Sequence, residues 1–282
     1  MESYNYLNDT IGINFSKASD YKICNEEKVC LVKATICGKC YRDPDRYSSK
    51  LYEDMSKVFN LNNIKRNGKF YLTSKETDEE KIKYDMSTDY IGPSRYWALK
   101  FLSGDTSKIA NTIGDFLLVT RTIGGHVFWP AHRVDNKKTI NQARGGNGIY
   151  DRFDITLAEL KHYFKTKIEC DLKKTNEYLF YQPLYEVFIR YDSFFRRYKN
   201  FNNFICCMKL GMFLHKDEVI NLVDTTNIEE GKYVILKDEK TKTINNDFFK
   251  PKNYENYIKN CKYLIFKRTK LILDEVNREE NN

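Results

Sequence analysis

The sequence has no run approaching 18 apolar residues, which excludes a membrane-spanning helix. Its longest candidates, Phe116 to Val119 and Phe204 to Cys207, have only the length of core segments. The opening MESYNYLNDT lacks both the basic and the apolar region of a secretory signal. A cytoplasmic location is therefore expected, with no membrane partner and with reduced cysteines. Proline is scarce, at five residues, and no stretch rich in proline, glycine or serine breaks the chain. No internal repeat occurs either. One α+β domain over 1–282 is expected, with 1–40 as a less regular N-terminal extension. Histidine is rarer still, at four, with no His-x3-His pair, and Asp135, Asp151 and Asp154 lack a hard-cation spacing. No P-loop and no dinucleotide fingerprint is present, so the sequence implies no cofactor.

What is there is aromatic and basic. Tyrosine (21) and phenylalanine (18) dominate a 41% hydrophobic composition, enough for a packed interior that disordered chains do not build. At 282 residues, about three quarters of the extended surface can be buried. The net charge of +8 biases the protein toward anions, without the density typical of a dedicated duplex binder. Eight cysteines include Cys24, Cys30, Cys37 and Cys40, the last two in a CxxC. Structural zinc, redox use and plain thiols all fit this loose spacing. Cys170, Cys206, Cys207 and Cys261 read as small hydrophobes.

Periodicity predicts a small, mostly antiparallel sheet and several packed helices, including an aromatic-rich helical half. Asp43-Pro44-Asp45-Arg46 signals a helix start, and Leu51, Met55, Val58 and Phe59 share a face over 47–59. Strands are expected at 29–36, 68–73, 116–119, 127–129 and 233–236, with Gly124-Gly125 turning one antiparallel pair. Residues 96–101 read as helical. Thr156 with Glu159 suggests a capping box and a helix starting near 156. Two or three helices fill 172–214, broken near Pro183. The terminal helix spans 253–275, with Tyr254, Tyr257, Ile258, Cys261, Leu264 and Ile265 along one side.

Polar chemistry concentrates between Arg121 and Asp154, where four arginines, two histidines and a glycine cluster meet. Gly124, Gly125, Gly145, Gly146 and Gly148 permit turns or close approach of backbone to a ligand. Arg144 and Arg152 have the planar forks that clamp a phosphate or carboxylate, with Asp151 orienting one of them. Asn141 and Gln142 could read a base or amide edge. Asp154 either braces the arginines or itself occupies the anion position at the helix start. His132, with or without His126, is the candidate proton carrier for phosphoryl transfer. The catalytic candidates are thus His132, Arg144 and Asp151, and the ligand-binding candidates Asn141, Gln142, Arg144, Arg152 and Asp154. A second basic region, Arg190, Arg196, Arg197, Lys199, Lys209 and Lys216, interleaves with aromatics. It reads as the wet face of a core helix in preference to a single-strand binder.

Three motifs, Ile123 to Pro130, Thr139 to Gly145 and Asp151 to Leu157, resemble those of a bacterial family of uncharacterised proteins, the DUF6994-like family. Asp43 to Ser48 and Phe70 to Ser74 resemble two further elements, so the likeness runs over about 40–215. His126 and the CxxC depart from the family pattern. The resemblance points to Asn141, Gln142, Arg144, Asp151, Arg152 and Asp154 as the shared site, and it implies no reaction. Two functions are carried forward. One is an anionic-ligand protein binding a nucleotide or RNA phosphate, in its enzymatic form a metal-independent ribonuclease. The other is a non-enzymatic component of a bacterial stress or defence system that binds a protein partner.

Overall fold

A computed structural model of the chain describes residues 45, 48–75, 84–93, 97, 101–102, 116, 118–146, 148–169, 178–237 and 250–279. Packing divides the chain into two compact units, residues 1–129 with 265–282, and residues 130–264. The chain passes from one to the other inside a strand and again inside the terminal helix, so no linker marks the division.

In the first unit, α1 (Ser49–Val58) starts where the Ser48 side chain accepts from the Leu51 N–H at 3.0 Å. Leu51, Tyr52 and Met55 form its buried stripe. The Tyr52 hydroxyl donates to the Asp45 carbonyl at 2.7 Å and accepts from the Thr88 N–H at 3.2 Å. Burial pushes its pKa up to about 12. β1 (Leu61–Arg66) and β2 (Lys69–Ser74) form an antiparallel hairpin, with Arg66 opposite Lys69. Asn67 and Gly68 between them both have positive φ, 50° and 75°, the conformation a two-residue hairpin turn needs. β3 (Met86–Tyr90) and β4 (His126–Pro130) complete a sheet in the order β1-β2-β3-β4.

The strand expected at 116–119 is helical instead: Phe116 and Leu118 to Thr120 are in helix, followed by a 3-10 turn over Ile123–Gly125. A short apolar run carries no period of its own, and tertiary packing decides it. A Cβ on Gly125 would lie 2.3 Å from the Thr120 carbonyl oxygen, and one on Gly124 2.2 Å from Thr269 Oγ1. The glycine pair therefore seats the terminal helix, and does not turn a hairpin. Buried Arg268 locks that seat, donating from Nη1 to the carbonyls of Gly124 (2.8 Å) and His126 (2.6 Å). Burial pushes its pKa down to about 9.

The second unit is mainly helical: α2 (Ile140–Arg144), α3 (Phe153–Tyr163), α4 (Gln182–Arg190), α5 (Asp192–Arg196) and α6 (Phe201–Cys207). Pro183 sits in the first turn of α4, where a missing N–H costs nothing, so it starts that helix and does not kink it. Tyr163, Phe164, Phe188, Phe194, Phe195 and Phe204 are buried together. Their rings meet edge-on or tilted, as in Phe188 with Phe195 at 5.3 Å and 84°. Arg196 is exposed on α5, as the wet face of that helix, whereas Lys199 and Lys216 are exposed outside the helices. β5 (Leu214–His215) and β6 (Glu218–Val219) make a second, small hairpin. The strand expected at 233–236 reduces to a single bridge between Ile235 and Ile220. α7 (Pro251–Glu279) follows the predicted terminal helix and buries all six residues expected on its inner side. Cys261 is buried among them, whereas Cys206 and Cys207 are exposed, contrary to expectation, at the end of α6. The CxxC cluster, the strand expected at 29–36 and Cys170 lie outside the described residues.

Candidate functional site

The central segment folds on itself before it meets anything else. Thr139 caps α2: its Oγ1 accepts from the Gln142 N–H at 3.4 Å, and Gln142 Oε1 accepts from the Thr139 N–H at 3.1 Å. The two bonds together form a capping box. Gln142, a ligand candidate, closes it. The box expected at Thr156 and Glu159 does not form, because α3 has already begun at Phe153. Thr156 donates back to the Arg152 carbonyl at 2.9 Å. Asn141 is half-buried, and its Oδ1 accepts no hydrogen bond among the described residues.

What approaches the glycine cluster is a side chain of the same chain. A Cβ on Gly148 would lie 2.1 Å from the Tyr181 ring, and one on Gly146 2.6 Å from its hydroxyl. Tyr181 is held there from beneath by Glu159. That buried carboxylate accepts the N–H groups of Leu179 (2.8 Å), Phe180 (2.7 Å) and Tyr181 (3.1 Å). Burial raises the Glu159 pKa, and the three donors act against that rise.

The charges close in the same way. Arg152 is 6% exposed and grips Asp154 with two parallel bonds, Nε to Oδ1 at 3.1 Å and Nη2 to Oδ2 at 2.7 Å. Asp154 also accepts the N–H groups of Ile155 (2.9 Å) and Leu222 (3.1 Å), so it is itself the anion at the start of α3. Arg144 is fully buried, with Nε donating to Thr156 Oγ1 at 3.4 Å and its guanidinium 5.5 Å from the Phe153 ring centre. Asp151 is half-buried and its N–H donates to the Arg144 carbonyl at 2.8 Å. Arg144, Asp151, Arg152 and Asp154 are thus brought together as the sequence suggests, around the buried Tyr257 of α7, whose hydroxyl accepts from the Phe153 N–H. Neither guanidinium faces solvent in this arrangement.

The two histidines differ sharply. His126 is wholly buried, and burial, then Arg121 and Arg268, hold its pKa well below the ordinary imidazole value. Its neutral form is favoured, and burial this complete keeps the ring from any solvent-borne substrate. His132 is exposed in the loop 131–139, its ring edge-on to Tyr191 and its carbonyl accepting from the Tyr191 hydroxyl at 2.5 Å. Asp135 and Asn136, with φ of 53° and 56°, form the tip, which the Lys137 N–H closes onto the Val134 carbonyl at 3.0 Å. Arg133, Lys137 and Lys138 are exposed around it, and none was singled out from the sequence. The signal available was Asp-Asn followed by two lysines: a left-handed turn that lifts cations off the surface. At the far end Arg190 donates from Nη2 to the Lys138 carbonyl at 3.1 Å, and its Nε donates to nothing among the described residues.

No three His, Cys, Asp or Glu side chains converge as a metal site among the described residues. No described helix is long and apolar enough to cross a membrane. A family model described as a family of unknown function, DUF6994, matches residues 11–272. The chain therefore belongs to that family, and the match extends beyond the 40–215 stretch that the motifs suggest. No curated protein matches, and no solved structure does.

Proposed function

We propose that this protein binds RNA by its phosphate backbone through the loop 131–139 and Arg190. The observation that carries this reading is the exposure of His132, Arg133, Lys137 and Lys138 on a loop pinned at both ends to α4 and the residue after it. Three cations oppose the single acidic Asp135, and Arg190 adds a fourth beneath them. A pre-formed turn loses little entropy when its lysines meet phosphates. Aqueous exposure keeps those lysines hydrated, so binding would come from counterion release and fall steeply with salt. Asn141 follows just beyond the loop, but its Oδ1 is closed to solvent, so it has no part in this reading.

The test is fluorescence anisotropy with a labelled mixed-sequence RNA, at low and moderate salt and without added metal. Wild type is compared with an Arg133→Ala, Lys137→Ala, Lys138→Ala variant. Loss of three phosphate contacts should flatten the slope of log affinity against log salt by about 2. Wild-type protein that ignores RNA at low salt would end this reading. The same samples, run on a gel, decide the enzymatic form: cleavage that disappears in His132→Ala assigns a proton-transfer role to that residue.

A non-enzymatic protein-interaction role is the second reading. The closure of Arg152 on Asp154 favours it over catalysis from the central segment, because a paired, buried guanidinium does not answer charge on a substrate.

A further inference from the structure

The four-stranded sheet of the first unit ends in two unlike edges. β4 is buried along its whole length, whereas β1 leaves Asn62, Lys65 and Arg66 exposed. The register fixes which groups β1 turns outward. Beside a two-residue turn the flanking pair, here Arg66 and Lys69, is hydrogen-bonded, and bonded and non-bonded pairs alternate from there. Arg66, Ile64 and Asn62 therefore direct their N–H and C=O groups to β2, and Lys65, Asn63 and Leu61 point theirs away from it. Among the described residues, none of those outward groups meets a backbone partner. An unpaired row of this kind is a template for one more strand.

Charge selects what the template accepts. The hairpin 61–75 has four cations, Lys65, Arg66, Lys69 and Lys75, and no acidic residue. Asp85 neutralises one of them, lying 2.6 Å from Arg66. α1, which packs on β1 and β2, sets Lys50 and Lys57 against Glu53 and Asp54 and adds no net charge. Lys65 stands on the open strand itself, exposed, its Nζ 5.0 Å from the centre of the Phe70 ring. A lysine on an edge strand turns away a second copy of the same cationic hairpin. It attracts an extended segment of opposite sign, because opposite charges directly across two strands stabilise the pair and like charges weaken it. Half-buried Ile64 gives that segment an apolar neighbour on the other face of β1.

We infer that β1 binds an extended acidic segment of a partner protein, which joins the four-stranded sheet as an antiparallel edge strand. In that pairing the partner's backbone meets Leu61, Asn63 and Lys65, spaced about 7 Å apart at roughly 3.4 Å per residue. A carboxylate lies across from Lys65, and a β-branched side chain lies across from Ile64. The backbone bonds hold the segment, and these two side-chain contacts choose it. The inference does not rest on RNA binding, since β1 and the loop 131–139 share no residue and belong to different units. It gives the second reading, a protein-interaction role, a surface of its own.

Isothermal titration of the full chain tests it with two blocked peptides, acetyl-Glu-Val-Thr-Thr-Val-amide and the same peptide with lysine first. Wild type should bind the glutamate peptide about fivefold more tightly than the lysine peptide. Lys65→Glu should reverse that order, a result that general damage to the fold does not produce. Asn63→Pro removes an outward N–H that β2 does not use, so the edge strand tolerates it. It should weaken the glutamate peptide about tenfold, through the lost bond and the bulk of the ring. Three results overturn the inference: no binding of the glutamate peptide, equal binding of the two peptides, or binding that neither Asn63→Pro nor Lys65→Glu alters. Sedimentation of the wild type addresses the other occupant. A dimer that Asn63→Pro disperses would give the edge to a second copy and overturn the inference as well.

Discussion

Arg144 and Arg152 stand within twenty residues of Arg133, Lys137 and Lys138, yet the two sets live in opposite surroundings. The first pair is buried and tied to Thr156 and Asp154; the second set is exposed on a turn. The difference teaches that residue type does not tell binding from scaffolding. A guanidinium is equally suited to gripping a ligand phosphate and to gripping the carboxylate of its own chain. What separates the roles is whether an internal partner reaches it first. Asp154, two residues after Arg152, does so with both oxygens, and the N–H groups of Ile155 and Leu222 complete its coordination. No carboxylate is placed this way on the 131–139 turn, and its cations remain in water.

The largest expected effect comes from breaking the buried set. Arg152→Ala leaves Asp154 as an uncompensated buried charge, and urea denaturation should show a loss of about 3–5 kcal/mol. Adding Asp154→Ala should recover part of it, because the stranded charge is then gone; a single variant within about 0.5 kcal/mol of wild type would contradict the buried pairing. Next comes Gly148→Ala, which drives a methyl into the Tyr181 ring and should cost about 1–3 kcal/mol by overpacking. If Gly148→Ala is neutral, the glycine cluster is not packed against Tyr181 and its opening toward a ligand returns as an explanation.

A smaller effect is set by pH. His126 binds a proton less readily folded than unfolded, so the unfolded chain takes up more protons on acidification. Its contribution to stability is full above the unfolded imidazole value of about 6.5 and declines as pH falls below it, by at most about 1.4 kcal/mol per pH unit. Glu159, raised by burial, acts in the opposite sense: its contribution is full below the ordinary carboxylate range and is lost as pH rises through its folded pKa. Thermal melts from pH 8 to pH 5 should therefore fall less steeply in His126→Gln than in wild type. The smallest expected change is in the stability of the Arg133, Lys137, Lys138 triple alanine variant, within about 0.5 kcal/mol. A larger loss would show that the turn's cations, too, belong to the scaffold.

Much of the fold was legible. The terminal helix shows its inner face at i, i+3, i+4 and i+7 from Tyr254 to Ile265, and the aromatic helices follow the same period, because burial of one face imposes it. Short elements were not. The apolar run 116–119 fits a strand or a helix equally well, and a period this short does not decide between them. Thr156 and Glu159 have capping-box spacing, yet Glu159 instead takes the backbone of residues 179–181, some twenty positions away in sequence. β1 went unread although Asn67-Gly68 marked its hairpin. Of the candidate site, the grouping of Arg144, Asp151, Arg152 and Asp154 was visible in the motifs, and their direction was not. The open edge of β1 was invisible because an edge is defined by the order of strands that lie apart in sequence.

The sequence by itself determined composition, periodicity and local spacing: an aromatic interior, long amphipathic helices, the absence of an apolar span and a cluster of polar groups between Arg121 and Asp154. These are local quantities, fixed by residues within a few turns of one another. Tertiary structure alone decided which charges are used up. Whether an arginine is a clamp or a strut depends on the Leu222 N–H, the Tyr257 hydroxyl and the Phe153 ring around it. Leu222 lies 68 residues from Asp154 and Tyr257 lies 104 from Phe153, and a charge is worth most where distant chain has displaced the water.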